Sequence, residues 1–542
     1  MYINFSDIPA HQNLFLDYLH EFENVERFYG KNFRAVDKYL PFFQKLSGVD
    51  KHHRELIPEI IKAQYSGDAP SKKTVQNIEL LGSNKTIVVA TGQQLGIFGG
   101  PLYTIYKSIT AIKLCAFLKE KYDEFNFIPL FWLEGDDHDF DEVRNFSILN
   151  SENQLLNIKY DDGLPEEINR GGIASLKFNQ NLENVFTELQ KELRETEFKA
   201  PLIDFLNSIY QPDKTFLESF RKLMINYFDE YGLIVFNPAD ISVKKLLAPL
   251  FAKEISEFMN HTGFLVERSA ELEEVYHAQV KVKPINLFYL EENERVSIEP
   301  TENGEYRLKG KRKKFTREEL LANLEAGPEK FSPNVLLRPI CQDFLFPTAF
   351  YVGGPGEISY FAQVSPLYKV YGIEEPFIYP RSSATIVEKG VKNILDKNNL
   401  EYTDIFSEEE ALIGKIVAAS SEINLEELFQ NTVMEIGTSF QQINNLLPLI
   451  DKTLTDLTVK SKLRIDETLA LLKSKALEAE KRKYETTIRQ VSKVRNVLFP
   501  NGNLQERELN LIYFTDKYGT DIIKWIFDEL AINKFEHQIL EM

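Results

Sequence analysis

Two apolar strands that each run through a polar loop into a helix constrain this chain more than any other feature. The first begins at Val88-Val-Ala and leads through Thr91-Gly-Gln-Gln-Leu-Gly into Gly99-Gly-Pro-Leu-Tyr-Thr-Ile-Tyr-Lys107. Glycines let backbone approach a ligand closely, Pro101 suits a first helical turn that needs no N–H, and free N–H groups there carry partial positive charge. The segment therefore predicts a small-molecule anion site, with Lys107 adding a full charge. The competing reading is a tight turn that serves strand–helix packing alone. The second strand, Phe127-Ile-Pro-Leu-Phe-Trp-Leu133, empties into Glu134-Gly-Asp-Asp-His-Asp-Phe-Asp-Glu142. Ligands of open α/β sheets gather at the carboxyl ends of the strands, so both loops are expected on one rim.

Alternating strands and helices from 86 to 149 predict a doubly wound parallel sheet as the first part of the core, after a helical stretch that opens the segment 1–149. Polar turns at Asp161-Asp-Gly and Arg170-Gly-Gly mark a first insertion over 150–200. The core continues over 201–263 through Gly232-Leu-Ile-Val-Phe-Asn-Pro238. A second insertion with antiparallel strands is expected over 264–330, and the core closes over 331–388. Heptad spacing follows over 389–500: Phe429, Val433, Ile436, Phe440, Ile443 and Leu447, then Ile465, Leu469, Leu472, Ala476 and Ala479. A skip then resets the seam to Tyr484, Ile488, Val491 and Leu498, which predicts one helix of about 60 Å from 456 to 498. So long a helix needs its neighbour or another chain to cover it, and a homodimer is expected, against the alternative of a monomeric helical hairpin. Residues 501–542 are expected to return to the core.

The formal charge of −19 disfavours nucleic acid and anionic membrane as partners, and the Lys309-Gly-Lys-Arg-Lys-Lys314 run reads as a solvated turn. An anionic ligand must then be held by locally placed cations. The chain starts without a basic and apolar leader, no stretch approaches the ~20 apolar residues of a membrane span, and two cysteines make no disulfide framework. A cytoplasmic setting is expected.

Around the first loop, Thr91, Gly92, Gln93, Gln94, Gly100, Tyr103 and Lys107 are candidate substrate contacts. In the acidic loop Asp136, Asp137, His138 and Asp139 offer either ligands for a divalent cation, whose presence the sequence leaves unknown, or a general base at His138 held by Asp137. The carboxylates also read as helix caps. Arg338, Arg381 and the second glycine loop, Gly353, Gly354, Glu357 and Tyr360, complete the expected rim, whose cations suit a carboxylate or phosphate. Cys341 and Cys115 read as buried, inert thiols. Neither a Gly-x-Gly-x-x-Gly nor a Walker pattern is present, which counts against a dinucleotide oxidoreductase. A coiled-coil scaffold would leave four polar strand-end loops without purpose.

Five segments together resemble the BshC family, the cysteine-adding enzymes of bacillithiol biosynthesis: Thr91-Gly-Gln-Gln-Leu-Gly with Gly100 to Lys107, Glu134 to Glu142, Arg338-Pro-Ile, Gly353 to Tyr360, and Phe499-Pro-Asn-Gly-Asn-Leu-Gln-Glu-Arg507. The resemblance implies a Rossmann-like parallel-sheet core with two inserted connecting-peptide subdomains and a C-terminal α-helical coiled-coil domain that dimerises. It implies a ligase that joins the carboxyl group of cysteine to the amine of glucosaminyl-malate, whose malate would explain a cationic rim. Similarity of such a core to nucleotidyltransferases and aminoacyl-tRNA synthetases implies ATP as the activating cofactor. Their His-x-Gly-His element and Lys-Met-Ser-Lys-Ser loop are missing here, although Arg381-Ser-Ser-Ala stands near the place of the latter.

Overall fold

In the computed structural model the alternating pattern closes into a five-stranded, wholly parallel sheet. All residues are described except 50–52, 421–423 and 452, together with the side chains of 417–420, 480 and 481. The elements that build the core are β1 (Thr86–Gln94), α1 (Tyr103–Lys121), β2 (Asn126–Glu134), β3 (Ile234–Phe236), α2 (Ile241–Glu273), α3 (Arg338–Leu345), β4 (Thr348–Gly353), α4 (Pro355–Tyr371) and β5 (Phe377–Pro380). Their order across the sheet is β5-β4-β1-β2-β3. The winding therefore reverses between β1 and β4, and at such a switch point the loops after the two strands part and leave a crevice.

Near-continuous apolar runs are what a sheet covered on both faces demands. Ile87, Val88, Val89 and Ala90 of β1 and Leu130, Phe131 and Leu133 of β2 are fully buried. Helix α1 packs on these strands, and the helix Tyr39–Gly48 packs on β1 and β4. Each Ile, Leu or Phe so enclosed contributes about 1.5–3 kcal/mol relative to exposure. β1 and β2 pair in register from Thr86 opposite Asn126 to Gln94 opposite Glu134, so the glycine loop and the acidic loop leave the sheet at one level.

The chain divides into two units, 1–386 with 503–540 and 387–502 with 541–542. Within the first, a hairpin of Asn145–Leu149 and Leu155–Lys159 occupies the start of the first expected insertion. The antiparallel strands expected in the second insertion form a five-stranded sheet with Leu287–Glu291 and Phe331–Pro333 on one side. Helix α2 runs straight through the boundary expected at 263/264, because its apolar positions, Leu247, Phe251, Ile255 and Leu265 among them, continue without a break. The C-terminal segment adds Tyr2 opposite Gln538 and Ile3 opposite His537.

The second unit carries α5 (Leu425–Leu446), α6 (Leu454–Lys483) and α7 (Glu485–Leu498). Helices α5 and α6 pack on each other, and Lys473 reaches Glu426 at 2.7 Å. The single helix expected from 456 to 498 is corrected. Tyr484, at φ −102° and ψ 13°, leaves the helix just after the heptad skip, so the change of seam is met by a break and not by continuous supercoiling.

Candidate active site

A cleft of about 570 Å³ lies at the switch point. Its wall includes Gly92, Gln93, Gln94, Tyr103, Lys107, Asp136, Asp137, His138, Arg338, Gly354, Glu357, Tyr360 and Arg381. Four expected contacts serve beside it instead. Thr91 is buried and its hydroxyl donates to the Val352 carbonyl at 2.9 Å, tying β1 to β4. Gly353 accepts from the Arg381 amide at 2.9 Å. Asp139 caps the short helix Phe140–Val143 by accepting from the Glu142 amide at 3.1 Å.

Gly100 belongs to a turn that is not an open anion cradle. Gly99 and Gly100 have φ of 92° and 69°, a region glycine enters without penalty. The carbonyls of Phe98 and Gly100 accept from Asn510 Nδ2 at 3.1 and 2.7 Å, and the Leu102 amide donates to Leu509. The packing reading of this loop is the one its geometry follows.

The three cations of the expected rim line the cleft, each already holding a carboxylate partner. Lys107 Nζ spends its three donors on Glu357 at 2.5 Å, the Gly92 carbonyl and Gln93 Oε1, both at 2.9 Å. Arg338 pairs with Glu134 at 3.1 Å and donates to Tyr360 and Gln342. Arg381 pairs with Glu506 at 2.6 Å. In a low-dielectric wall such ions need their counter-ions, so these six groups stiffen the site.

Other cations face the cleft without an ion-pair partner among the described carboxylates: Arg295, Lys281, Lys283 and Arg507. Arg295 is buried, and its guanidinium meets His138 Nδ1 at 2.8 Å, Ser332 Oγ at 2.9 Å and the Pro333 carbonyl at 2.8 Å. It stands 3.7 Å from the centre of the Phe288 ring, and Lys283 stands 4.4 Å from the same ring. Packing around Lys283 and the neighbouring Arg295 charge push its ammonium below the usual lysine range.

Carboxylates of the acidic loop line the same cleft. Asp136 pairs with the buried Lys244 at 2.5 Å. Burial works against ionised Asp137, but the His138 amide, which donates to it at 2.7 Å, and the Arg295 charge outweigh it and hold the carboxyl down to about 2. Glu142 is exposed and lines the cleft, where protein crowds part of its carboxyl. That desolvation, with the charges of Asp137 and Asp139, pushes it up to about 7, although Gln94 donates to it at 2.7 Å. Burial likewise pushes Glu134 up to about 7 against the pull of Arg338. Among the described residues no three His, Cys, Asp or Glu side chains converge to hold a metal ion.

His138 occupies the cleft in an arrangement that alters its expected part. A guanidinium has no acceptor, so Nδ1 facing Arg295 must accept, and the proton of a neutral ring then sits on Nε2. In this geometry the imidazole presents a donor to the cleft.

Residues 1–382 match the N-terminal Rossmann-like domain of "Bacillithiol biosynthesis BshC", and residues 384–542 match its C-terminal coiled-coil domain. The chain belongs to the BshC family. A "Putative cysteine ligase BshC" of Salinibacter ruber is 33% identical over 98% of this chain and 97% of its own length. The relative of the same description from Chloroherpeton thalassium is 32% identical, with 97% and 96% covered. That of Chlorobaculum tepidum is 33% identical over 87% and 85%.

Several wall residues of this BshC chain escape motif reading. Glu134, Glu142 and Arg507 lie inside the segments that carry the family resemblance, where the signal was available. Arg295 and Lys283 lie outside those segments; the antiparallel sheet carries Arg295 to the cleft, and Lys283 stands just before its strand Leu287–Glu291.

Proposed function

We propose that this protein is a ligase that forms an amide between the carboxyl group of L-cysteine and the amine of glucosaminyl-malate, the last step of bacillithiol biosynthesis. The observation that carries this reading is the cationic cluster of the cleft in a chain of net charge −19: Arg295 and Lys283 stand 3.7 and 4.4 Å from the centre of one aromatic ring, and neither forms an ion pair with a described carboxylate, although the Asp137 charge lies near Arg295. Asp137 and Glu142 line the same cleft. Buried charge without a counter-ion is costly, and a dicarboxylate such as malate supplies one. The acidic loop suits the sugar ammonium before it loses its proton.

Glu142 is the base that takes that proton as the amine attacks, with Gln94 orienting it. A carboxylate titrating near neutrality is matched to this task. His138 then donates through Nε2 to a substrate oxygen, and Asp137 keeps the Arg295–His138 pair in place. The leaving group departs from an activated cysteinyl carboxyl, since a carboxylate and an amine do not condense unaided in water. ATP is the proposed source of activation. The first glycine loop, closed by Asn510, does not fit a phosphate cradle. Exposed Leu446, Leu449, Ile450, Leu463, Leu471 and Leu472 in the second unit support a homodimer through its helices.

Arg295→Met keeps much of the side chain's bulk and removes the charge. Its expected effect is a KM for glucosaminyl-malate raised about 10- to 100-fold with the KM for cysteine little changed. An unaltered KM for glucosaminyl-malate would refute this placement of malate.

A further inference from the structure

Beside the cleft lies a second, much smaller cavity of about 20 Å³, which shares Pro355, Arg381 and Arg507 with it. Its apolar side is made by Phe5, Phe15 and Leu504, and its polar side includes His11. The His11 ring lies 5.0 Å from Phe5 and stands edge-on to Phe15 at 5.5 Å. Its Nε2 is buried and has no hydrogen-bond partner among the described residues, whereas buried polar groups of native interiors are normally paired. Ala10, immediately before it, is held at φ 69°, where a side chain is strained, and such strain clusters at ligand sites. Burial, with the charges of Arg507 and Arg381 and against that of Glu506, pushes the imidazole down to about 4. The ring is therefore neutral at neutral pH.

The space admits one group about the size of a water or a sulfur atom. The aromatic edges favour sulfur, which gives up less hydrogen bonding on leaving water than a hydroxyl does. We propose that this side pocket receives the side chain of the cysteine substrate, with the thiol donating to His11 Nε2 and the sulfur seated against Phe5 and Phe15. The proposal rests on the ligase reading and names the residues that select the amino acid. Arg381 and Arg507, on the walls of both spaces, then mark where the α-carbon sits. Homocysteine is too long for the pocket, and alanine leaves it empty.

The test uses the full-length protein and compares cysteine, serine and homocysteine as acyl donors to the sugar amine in wild type, His11→Ala, His11→Gln and Phe15→Leu. His11→Ala should raise the KM for cysteine about tenfold, leave that for glucosaminyl-malate within about twofold, and admit homocysteine. His11→Gln, which restores an acceptor, should recover most of the cysteine KM. Should His11→Ala fail to fold in a thermal melt, Phe15→Leu still tests the wall through homocysteine use. A folded His11→Ala with unchanged cysteine KM and unchanged cysteine-to-serine preference would overturn the pocket while leaving the ligase reading intact. If wild type forms no amide at all, that reading fails separately. Calorimetric titration with cysteine then decides the pocket: weaker binding in His11→Ala supports it, and equal binding overturns it.

Discussion

Glu142 shows how a single side chain acquires chemistry from its surroundings. Its carboxyl is exposed at the mouth of an acidic cleft, where the cost of leaving water and the neighbouring Asp137 and Asp139 charges make a third ionisation harder. The ionised form therefore gains population as pH rises through about 7, and kcat/KM should climb with pH below that point and level off above it. Glu142→Gln should lower kcat/KM by about 10²- to 10⁴-fold and remove that rising limb, measured as a pH–rate profile. Glu134 titrates in the same range but is tied to Arg338, so Glu134→Gln should keep the limb. The same shift has a sign in folding. A carboxyl whose folded value lies above its unfolded one favours the folded state at low pH, and that advantage is lost as pH rises through about 7. Of these properties the sequence shows the carboxylates and their crowding. It does not show that Arg338, Arg381 and Lys107 are matched with Glu134, Glu506 and Glu357, because those pairings join residues far apart in the chain.

At the scale of elements, the two strand-to-loop units were legible because a buried parallel strand leaves an apolar run and its loop leaves glycines or charges. The meaning of the first loop was not legible. Glycines at Gly99 and Gly100 serve either an anion or a tight turn, and the choice depends on Asn510, some four hundred residues away. Asn510 also accepts from the Ile512 amide at 2.9 Å, so its side chain satisfies backbone groups on both segments. Asn510→Ala should therefore destabilise the first unit by about 1–3 kcal/mol, read from urea unfolding followed by the fluorescence of buried Trp132. A loss under about 0.5 kcal/mol would show that the loop holds without this tie. The heptads were legible in the same way, whereas the break at Tyr484 was not, since a skip in the seam is equally compatible with a continuous stutter.

Over the whole molecule, the family assignment, the parallel core and the helical C-terminal region agree with one another. The helices of the second unit still leave large apolar side chains exposed, Leu449 and Ile450 at about 80% among them. Light scattering should give about twice the 62.8 kDa of one chain, and paired Glu substitutions at Leu463 and Leu471 should return the monomer mass. A wild-type mass of one chain would remove the dimer. The most direct test of the central claim is to incubate the purified protein with cysteine and glucosaminyl-malate, with and without Mg-ATP, and to follow the amide product by mass spectrometry together with AMP and ADP. The account predicts bacillithiol only when an activating donor is present, with AMP marking an adenylate and ADP an acyl phosphate. Absence of the amide both with Mg-ATP and with a chemically prepared cysteinyl adenylate would contradict it.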